Sequence, residues 1–151
     1  MTSHKEQTSM EMQTPAPSGK LISQTIAMPR ETNANGDIFG GWLLSQMDLA
    51  GAILAGRIAR GRVATVAISS MSFLNPVPVG AVVGCYAQTL SVGTSSIRIL
   101  IEAWIDNASG DMQSDLDPVD DQFAEQVKVT EGEFVFVAID DHGNTRQVPT
   151  A

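Results

Sequence analysis

The residue best suited to acid–base chemistry in this chain is Asp48, a carboxylate inside an otherwise apolar helical segment. Burying a carboxylate among apolar groups is costly unless the group is paired, hydrogen-bonded or protonated, so its retention there indicates a use for it. Gly40 and Gly41 lie about two turns earlier, after a turn rich in Asn, Gly and Asp. Glycines at a helix start leave backbone N–H groups unobstructed at the positive end of the helix dipole. The sequence therefore predicts an acid and an anion-binding hole on one helix.

Each of these residues also has a purely structural interpretation. Asp48 could form a salt bridge across a dimer interface, and Asp37 could cap the helix or close an Asx turn. Gly40 and Gly41 could simply allow the helix to approach a sheet closely. The face that Asp48 shares with Gly, Ser and Ala residues is mostly small, which favours close approach by a narrow ligand or a second backbone.

One strand, one long helix and a run of strands are predicted to position these residues. The first strand covers residues 21–28 and the helix residues 40–59, whose apolar side chains lie nearly all round, as in a helix buried on most sides. The later strands are predicted at residues 63–73, 81–91, 95–107 and 122–139. This order gives an α+β fold in which a curved antiparallel sheet wraps around the central helix. Because such a sheet leaves an edge open, we expect a homodimer with a continuous sheet.

Length and composition indicate a single domain. The chain has 151 residues, 43% of them hydrophobic, and no stretch of 18 apolar residues that would predict a membrane span. We expect a disordered tail over residues 1–20, which lacks the apolar region of a secretory signal, followed by one domain over residues 21–149. Cys85 is the single cysteine, which excludes an intrachain disulfide and fits a cytoplasmic location.

Charge excludes further classes of partner. The net charge is −8, from 9 basic and 17 acidic residues, which argues against nucleic acid or an anionic membrane surface. Much of the excess lies in a segment over residues 107–121, predicted to be an exposed acidic loop without the ordered spacing of a calcium site.

Several common catalytic motifs are absent from the sequence. It contains no Gly-x-Ser-x-Gly elbow, no Gly-x-Gly-x-x-Gly and no phosphate loop, which argues against serine hydrolase, dinucleotide and nucleotide chemistry. The two histidines, His4 and His142, lie in the tail and in a terminal turn, and no Cys/His cluster is present. We therefore expect no metal site.

The order and spacing of several landmarks carry a family resemblance. The turn and helix of residues 33–55, together with further landmarks along the chain, closely resemble the hotdog-fold acyl-CoA thioesterases of the YciA type. These further landmarks are Gly-Arg-Val-Ala-Thr-Val at 61–66, Met-Ser-Phe-Leu-Asn-Pro at 71–76, Val-Gly at 79–80 and Gly-Thr-Ser-Ser at 93–96. The similarity covers roughly residues 21–149. The acidic segment departs from the family pattern, in which a shorter connection with lysines is usual.

The resemblance implies hydrolysis of an acyl-CoA thioester to a carboxylic acid and CoA, in a site between two protomers. It implies that Asp48 acts as the general base for water or as a nucleophile. It also places Asp37 at the mouth of the helix, as a further candidate catalytic residue. Gly40 or Gly41 would then supply the oxyanion hole, where one positioned N–H donor is worth roughly 3 kcal/mol of barrier. Family members suggest hexamers built as trimers of dimers.

Substrate contacts are predicted from the same resemblance and from the chemistry of CoA. We expect Asn35 to contact substrate and Thr65, Val66 and Ala67 to wall the acyl chain. The phosphates of CoA need a cationic rim, for which the first candidates are the arginines at the end of the helix: Arg57, Arg60 and Arg62. CoA is part of the substrate and product, and no separate cofactor is expected.

Two other functions compete with hydrolysis. A hotdog hydratase or dehydratase usually employs a histidine, and none lies between His4 and His142. A non-catalytic acyl-CoA binding module would bind the same ligand without releasing a thiol. Because the central part of the chain has no histidine, the sequence favours a hydrolase over a hydratase or dehydratase. The binding module remains the alternative to be tested.

Overall fold

The computed structural model describes residues 16–106 and 125–150, which form one long helix, one 3₁₀ turn and five strands. In chain order these are β1 (Lys20–Ile26), the 3₁₀ turn (Pro29–Glu31), α1 (Gly40–Ala59), β2 (Val63–Phe73), β3 (Val82–Val92), β4 (Ser96–Asp106) and β5 (Gln126–Ala138). The predicted acidic loop and the first fifteen residues of the predicted tail lie outside the described residues. No helix in the described ranges is long and apolar enough to cross a membrane.

All strand pairs in the sheet are antiparallel, in the spatial order β1-β3-β4-β5-β2. Helix α1 packs on one face of this sheet and contacts all five strands. Alternate residues of β4 and β5 point at the helix and are fully buried, among them Ile97, Ile99, Phe134 and Phe136. The predicted α+β class, with a hotdog arrangement of one central helix and a curved five-stranded sheet, is confirmed.

The bounds of α1 and β2 coincide with the predicted residues 40–59 and 63–73. The remaining strand ends differ by one or a few residues. Strand β1 ends at Ile26 rather than at 28, because the chain turns after Ala27, which pairs with the loop before β3. The Ala27 N–H donates to the Ala81 carbonyl (2.9 Å), and the Ala27 carbonyl accepts from the Gly80 N–H (2.7 Å).

Helix α1 lies against the sheet at Gly51. A methyl group there would come within 2.5 Å of Ile101 Cδ1 and 2.7 Å of the Phe136 ring, so only glycine fits. The far end of the helix is closed by Arg60 in the left-handed conformation, at φ 53°, and by Arg146, whose Nη2 donates to the Ala59 carbonyl at 2.7 Å. These contacts fix both the depth of the helix and its end.

One edge of the sheet carries an exposed apolar surface. Among the described strands, β2 pairs only with β5, and its residues 65–70 are exposed, including Val66 and Ile68. On α1, Leu49 and Ile53 lie one turn apart and are 60% and 43% exposed. Exposed large apolar side chains on an unpaired strand edge are typical of a surface that another chain covers.

Two helix glycines provide a matched test of the packing at Gly51. We expect Gly51→Ala to lower the free energy of unfolding by about 1–3 kcal/mol, because the new methyl overpacks against Ile101 and Phe136. In Gly56→Ala the new methyl makes only an ordinary contact, with the Gly61 carbonyl oxygen 3.5 Å away. This substitution should raise the free energy of unfolding by up to about 1 kcal/mol, because alanine has the higher helix propensity. Urea denaturation followed by circular dichroism measures both. Equal effects of the two substitutions would contradict this account of the contact.

Candidate active site

The first turn of α1 presents backbone N–H groups without side-chain acceptors. The helix N-cap is Phe39, which has no side-chain capping bond, so the amides of Gly40 and Gly41 lack a capping partner among the described residues. The Ile38 N–H donates to the Val77 carbonyl (3.1 Å), and the Phe39 N–H donates to the Glu31 carbonyl (3.0 Å). The helix start is therefore held on two sides, and its first donors remain available for an anion.

The turn before α1 is organised by Asn33. Its side-chain Oδ1 accepts the N–H groups of Asn35 (2.9 Å) and Asp37 (3.2 Å). Asn33 is thus the Asx-turn residue, and Phe39 is the N-cap. The alternative structural roles considered for Asp37, capping the helix or closing the Asx turn, are wrong. Asp37 is exposed and lines a pocket at the helix start, and its catalytic role stays a prediction.

A pocket of about 390 Å³ opens beside the helix start. It is lined by residues from the turn, the first helical turn and the segment after β2: Asn33, Asp37, Ile38, Gly40, Leu43, Phe73, Leu74, Asn75, Pro76 and Val77. A Cβ on Gly40 would lie 3.0 Å from the Phe73 ring, so the glycine lets an aromatic wall approach the helix backbone. Gly41 does not line this pocket, which makes Gly40 the better placed donor.

The pocket wall that follows β2 is fixed by strand β5. The Thr130 hydroxyl donates to the Ser72 carbonyl at 2.7 Å, and the Leu74 N–H donates to the Val129 carbonyl at 2.8 Å. Asn75 Nδ2 donates to the Lys128 carbonyl, also at 2.8 Å. Phe73 and its neighbours are therefore held by hydrogen bonds to residues 128–130 of β5.

Asp48 is half-buried between α1 and β2. The Thr65 hydroxyl donates to Asp48 Oδ1 at 2.7 Å, which orients the carboxylate. No Lys, Arg or His of residues 16–106 and 125–150 forms an ion pair with it. Eight residues separate Asp48 from Gly40, a rise of about 12 Å along the helix. Accordingly, Asp48 is not part of the pocket at its own helix start.

The predicted substrate-contact residues lie in different places. Thr65 contacts Asp48, whereas Val66 and Ala67 are exposed on the β2 edge, and none of the three lines the pocket. Asn35 is exposed in the turn beside Asn33, outside the pocket lining. The role of Asn33 was missed from the sequence. The signal available was the Asn-x-Asn-Gly-Asp pattern, because an Asn at the first position can accept two later N–H groups.

The three predicted phosphate ligands lie at the other end of α1, about 30 Å from its start. Arg62 donates to the carbonyls of Asp140 (3.3 Å) and Asp141 (3.1 Å), and Arg57 and Arg60 are exposed. These three side chains therefore form a cationic group remote from the pocket of their own chain.

A second charged cluster occupies the outer face of the sheet. Buried Glu102 accepts from the Ser18 N–H at 2.7 Å and pairs with Lys128 at 3.0 Å. The Lys128 ammonium also pairs with Glu131 at 2.9 Å, and the hydrogen bond to Glu131 is the main cause that raises the Lys128 pKa. Because both carboxylates engage it, this lysine is a poor candidate for binding phosphate. No group of three or more His, Cys, Asp or Glu in the described ranges could hold a metal ion.

Comparisons with known proteins agree with this architecture. The family model described as the thioesterase superfamily matches residues 35–109. The acyl-CoA thioester hydrolase YciA of Salmonella typhimurium is 50% identical over 133 residues, covering 88% of this chain and 92% of the relative. The hexameric thioesterase of Yersinia pestis has a similar structure, with a TM-score of 0.77 and 48% identity, covering 90% of this chain and all of the other.

A more distant structure adds a bound ligand. The acyl-CoA hydrolase of Staphylococcus aureus, in complex with butyryl coenzyme A, coenzyme A and coenzyme A disulfide, has a TM-score of 0.70 and 27% identity. The similarity covers 84% of this chain and 70% of the other. Two mutants of that hydrolase, in which an aspartate or an asparagine is replaced by alanine, are also similar, with TM-scores of 0.69 and 0.71. The two replaced residues are fifteen positions apart in that chain.

The single thiol provides a prediction about pH. Burial raises the pKa of Cys85 to about 11, partly offset by a hydrogen bond to Ser23. The neutral thiol therefore stabilises the fold below about pH 9, and this contribution, up to about 3 kcal/mol, is lost as pH rises toward 11. We expect Cys85→Ala to flatten the fall in unfolding free energy between these pH values. Urea titrations of both proteins at several pH values measure the difference, and identical slopes would contradict it.

Proposed function

Because this chain belongs to the thioesterase superfamily, among its YciA-type acyl-CoA thioester hydrolases, we propose that it hydrolyses acyl-CoA thioesters to a carboxylic acid and CoA through Asp48. The observation that carries the mechanistic part is the hydrogen bond from Thr65 to Asp48. This hydrogen bond orients Asp48 Oδ1 and leaves Oδ2 able to accept a proton. The carboxylate lies beside the β2 edge, which carries exposed apolar side chains. No metal or organic cofactor takes part, and CoA enters as part of the substrate.

The active site requires two chains. Asp48 and the Gly40 amide of one helix are separated by about 12 Å, too far to act on one carbonyl. Two copies that pair through the exposed β2 edge would bring Asp48 of one chain to the pocket of the other. Burial of Leu49, Ile53, Val66 and Ile68 favours this pairing. Each dimer then contains two equivalent sites. Since the Yersinia pestis relative is hexameric, we extend the proposal to a trimer of such dimers.

In this site the thioester carbonyl oxygen accepts a hydrogen bond from the Gly40 N–H. Asp48 removes a proton from water, and the resulting hydroxide forms a bond to the carbonyl carbon. The negative charge that develops on the carbonyl oxygen is stabilised by the amide and by the positive end of the helix dipole. The C–S bond then breaks, and the departing thiolate takes up the proton held by Asp48. If Asp48 instead attacks the carbonyl carbon directly, the C–S bond breaks, CoA leaves as a thiolate that takes a proton from solvent, and a mixed anhydride forms. Water then hydrolyses this anhydride to the carboxylic acid and regenerates the Asp48 carboxylate.

Asn33 is proposed as a further residue of this site. In the Staphylococcus aureus hydrolase the replaced asparagine and aspartate are fifteen positions apart, as are Asn33 and Asp48 here. Asn33 lines the pocket, and its Oδ1 is already occupied by two backbone N–H groups. Its Nδ2 remains able to donate to a substrate oxygen or to the attacking water. Asp37 lies at the rim, and Arg57, Arg60 and Arg62 remain candidates for the CoA phosphates.

Replacing the proposed base tests the chemistry. We expect Asp48→Asn to lower thiol release from butyryl-CoA by at least about 100-fold, because the amide cannot accept the proton. Asp141→Asn, in an exposed turn, is the matched control and should retain activity. Thiol release is followed with a chromogenic thiol reagent, with circular dichroism to check folding. Full activity of a folded Asp48→Asn protein would exclude this residue from the reaction. Incorporation of ¹⁸O from labelled water into Asp48 would indicate the anhydride route.

The Gly40 amide can be removed without breaking the helix. Gly40 is the first helical residue, where proline is tolerated, and Phe39 before it has φ −75° and ψ 148°, values compatible with a following proline. We expect Gly40→Pro to lower kcat by roughly 10²–10³, the usual effect of losing one oxyanion donor. Gly40→Ala introduces the same Cβ beside Phe73 but keeps the N–H, so it should lose much less. Similar losses in both variants would indicate a steric effect rather than a lost donor.

Mixed oligomers test the sharing of the site between chains. Asp48→Asn and Gly40→Pro chains are co-expressed in equal amounts with different affinity tags. A heterodimer retains one site with both native residues, so random pairing should restore about a quarter of wild-type activity. If both residues act within one chain, the mixture should be as inactive as the two variants alone.

A further inference from the structure

We infer that the pocket beside Gly40 binds the acyl chain of the substrate and selects neutral aliphatic acyl groups over those with a terminal carboxylate. This inference rests on the proposed function and names the substrate class of its site. It differs from the sequence-based expectation, which placed the chain along Thr65, Val66 and Ala67 on the β2 edge.

The floor and walls of the pocket are apolar. Ile38, Leu43 and Val77 form a buried floor. Phe73 and Leu74 form the wall after β2 and are 57% and 51% exposed, although both are large and hydrophobic. A hydrocarbon chain in the pocket would remove these two side chains from water. The volume of about 390 Å³ lies within the range of small-molecule sites.

The polar groups of the pocket are mostly engaged by the protein itself. Asn33 Oδ1 accepts two backbone N–H groups, and Asn75 Nδ2 donates to the Lys128 carbonyl. These bonds shape the pocket and engage one polar atom of each asparagine, while the proposed reaction assigns Asn33 Nδ2 to the reacting carbonyl or water rather than to the acyl chain. In the proposed dimer two carboxylates face this pocket, Asp37 of the same chain and Asp48 of the partner subunit, and no Lys or Arg occurs among the ten lining residues. A carboxylate at the end of the acyl chain would be repelled and would lack a cation to pair with.

Phe73 connects the pocket to the reacting carbonyl. Its ring lies 3.0 Å from the position that a Gly40 Cβ would occupy, directly beside the first turn of the helix. A carbonyl oxygen bound to the Gly40 N–H therefore places the following acyl carbons against this ring. Phe73 is thus a specificity-determining residue rather than a participant in proton transfer.

Binding of non-hydrolysable S-alkyl-CoA thioethers tests the inference independently of catalysis. Isothermal titration of the wild-type oligomer with S-methyl-, S-butyl- and S-hexyl-CoA should show affinity rising up to roughly fourfold per methylene group while the pocket fills. S-(3-carboxypropyl)-CoA should bind at least tenfold more weakly than S-butyl-CoA. Phe73→Ala should weaken S-hexyl-CoA about tenfold and S-methyl-CoA less than threefold. Leu90→Ala, an exposed apolar residue of β3 outside the pocket, is the matched control and should change neither.

Other outcomes overturn the inference. Equal weakening of all thioethers by Phe73→Ala would assign the pocket to the CoA arm. If Val66→Ala weakened the long-chain thioethers more than the short ones and Phe73→Ala did not, the acyl chain would lie on the β2 edge. Affinity that is independent of chain length, or unaffected by the terminal carboxylate, would also exclude the proposed selectivity. Failure of the proposed function is distinct, because thioethers would still bind while butyryl-CoA released no thiol.

Discussion

The placement of both candidate catalytic groups depends on how closely the central helix approaches the sheet at Gly51. Ile101 and Phe136 occupy the space that any side chain would need there. This contact sets the depth of α1, and with it the distance from Asp48 to the β2 edge, where Thr65 reaches the carboxylate. A helix displaced outward would break that hydrogen bond and would widen the pocket at the helix start. The packing of the core and the geometry of the candidate site therefore both depend on glycine at position 51.

The fixed rise of a helix imposes the second constraint. It separates the acid from the amide by about 12 Å, so the proposed reaction needs Asp48 of one chain and the Gly40 amide of another. The exposed apolar residues of α1 and β2 lie at the same edge as Asp48, so the surface suited to pairing and the surface suited to chemistry coincide. This arrangement explains why a half-buried carboxylate has no cationic partner within the described part of its own chain.

The sequence predicted those features that follow from local rules. The helix bounds followed from the run of apolar residues that begins at the paired glycines, and the positions of the strands along the chain followed from β-branched and aromatic runs. Long-range contacts were not predictable in this way. The pairing of Thr65 with Asp48, and the position of Phe73 over Gly40, depend on strand register and sheet curvature. Arg146 illustrates the same limit, since its guanidinium donates to the Ala59 carbonyl although the two residues lie 87 positions apart in the sequence.

The contact of Arg146 with the helix end has a consequence for the order of folding during synthesis. The Ala59 carbonyl receives its donor from a residue 87 positions later. Within the described sheet, strand β2 likewise has β5 as its partner, which follows it by more than 50 residues. On the ribosome, the helix and β2 therefore emerge long before the segments that hold them. The pairing that holds Thr65 beside Asp48 forms only after β5 has been made, so a product truncated before β5 would carry the proposed catalytic carboxylate without the strand that aligns it.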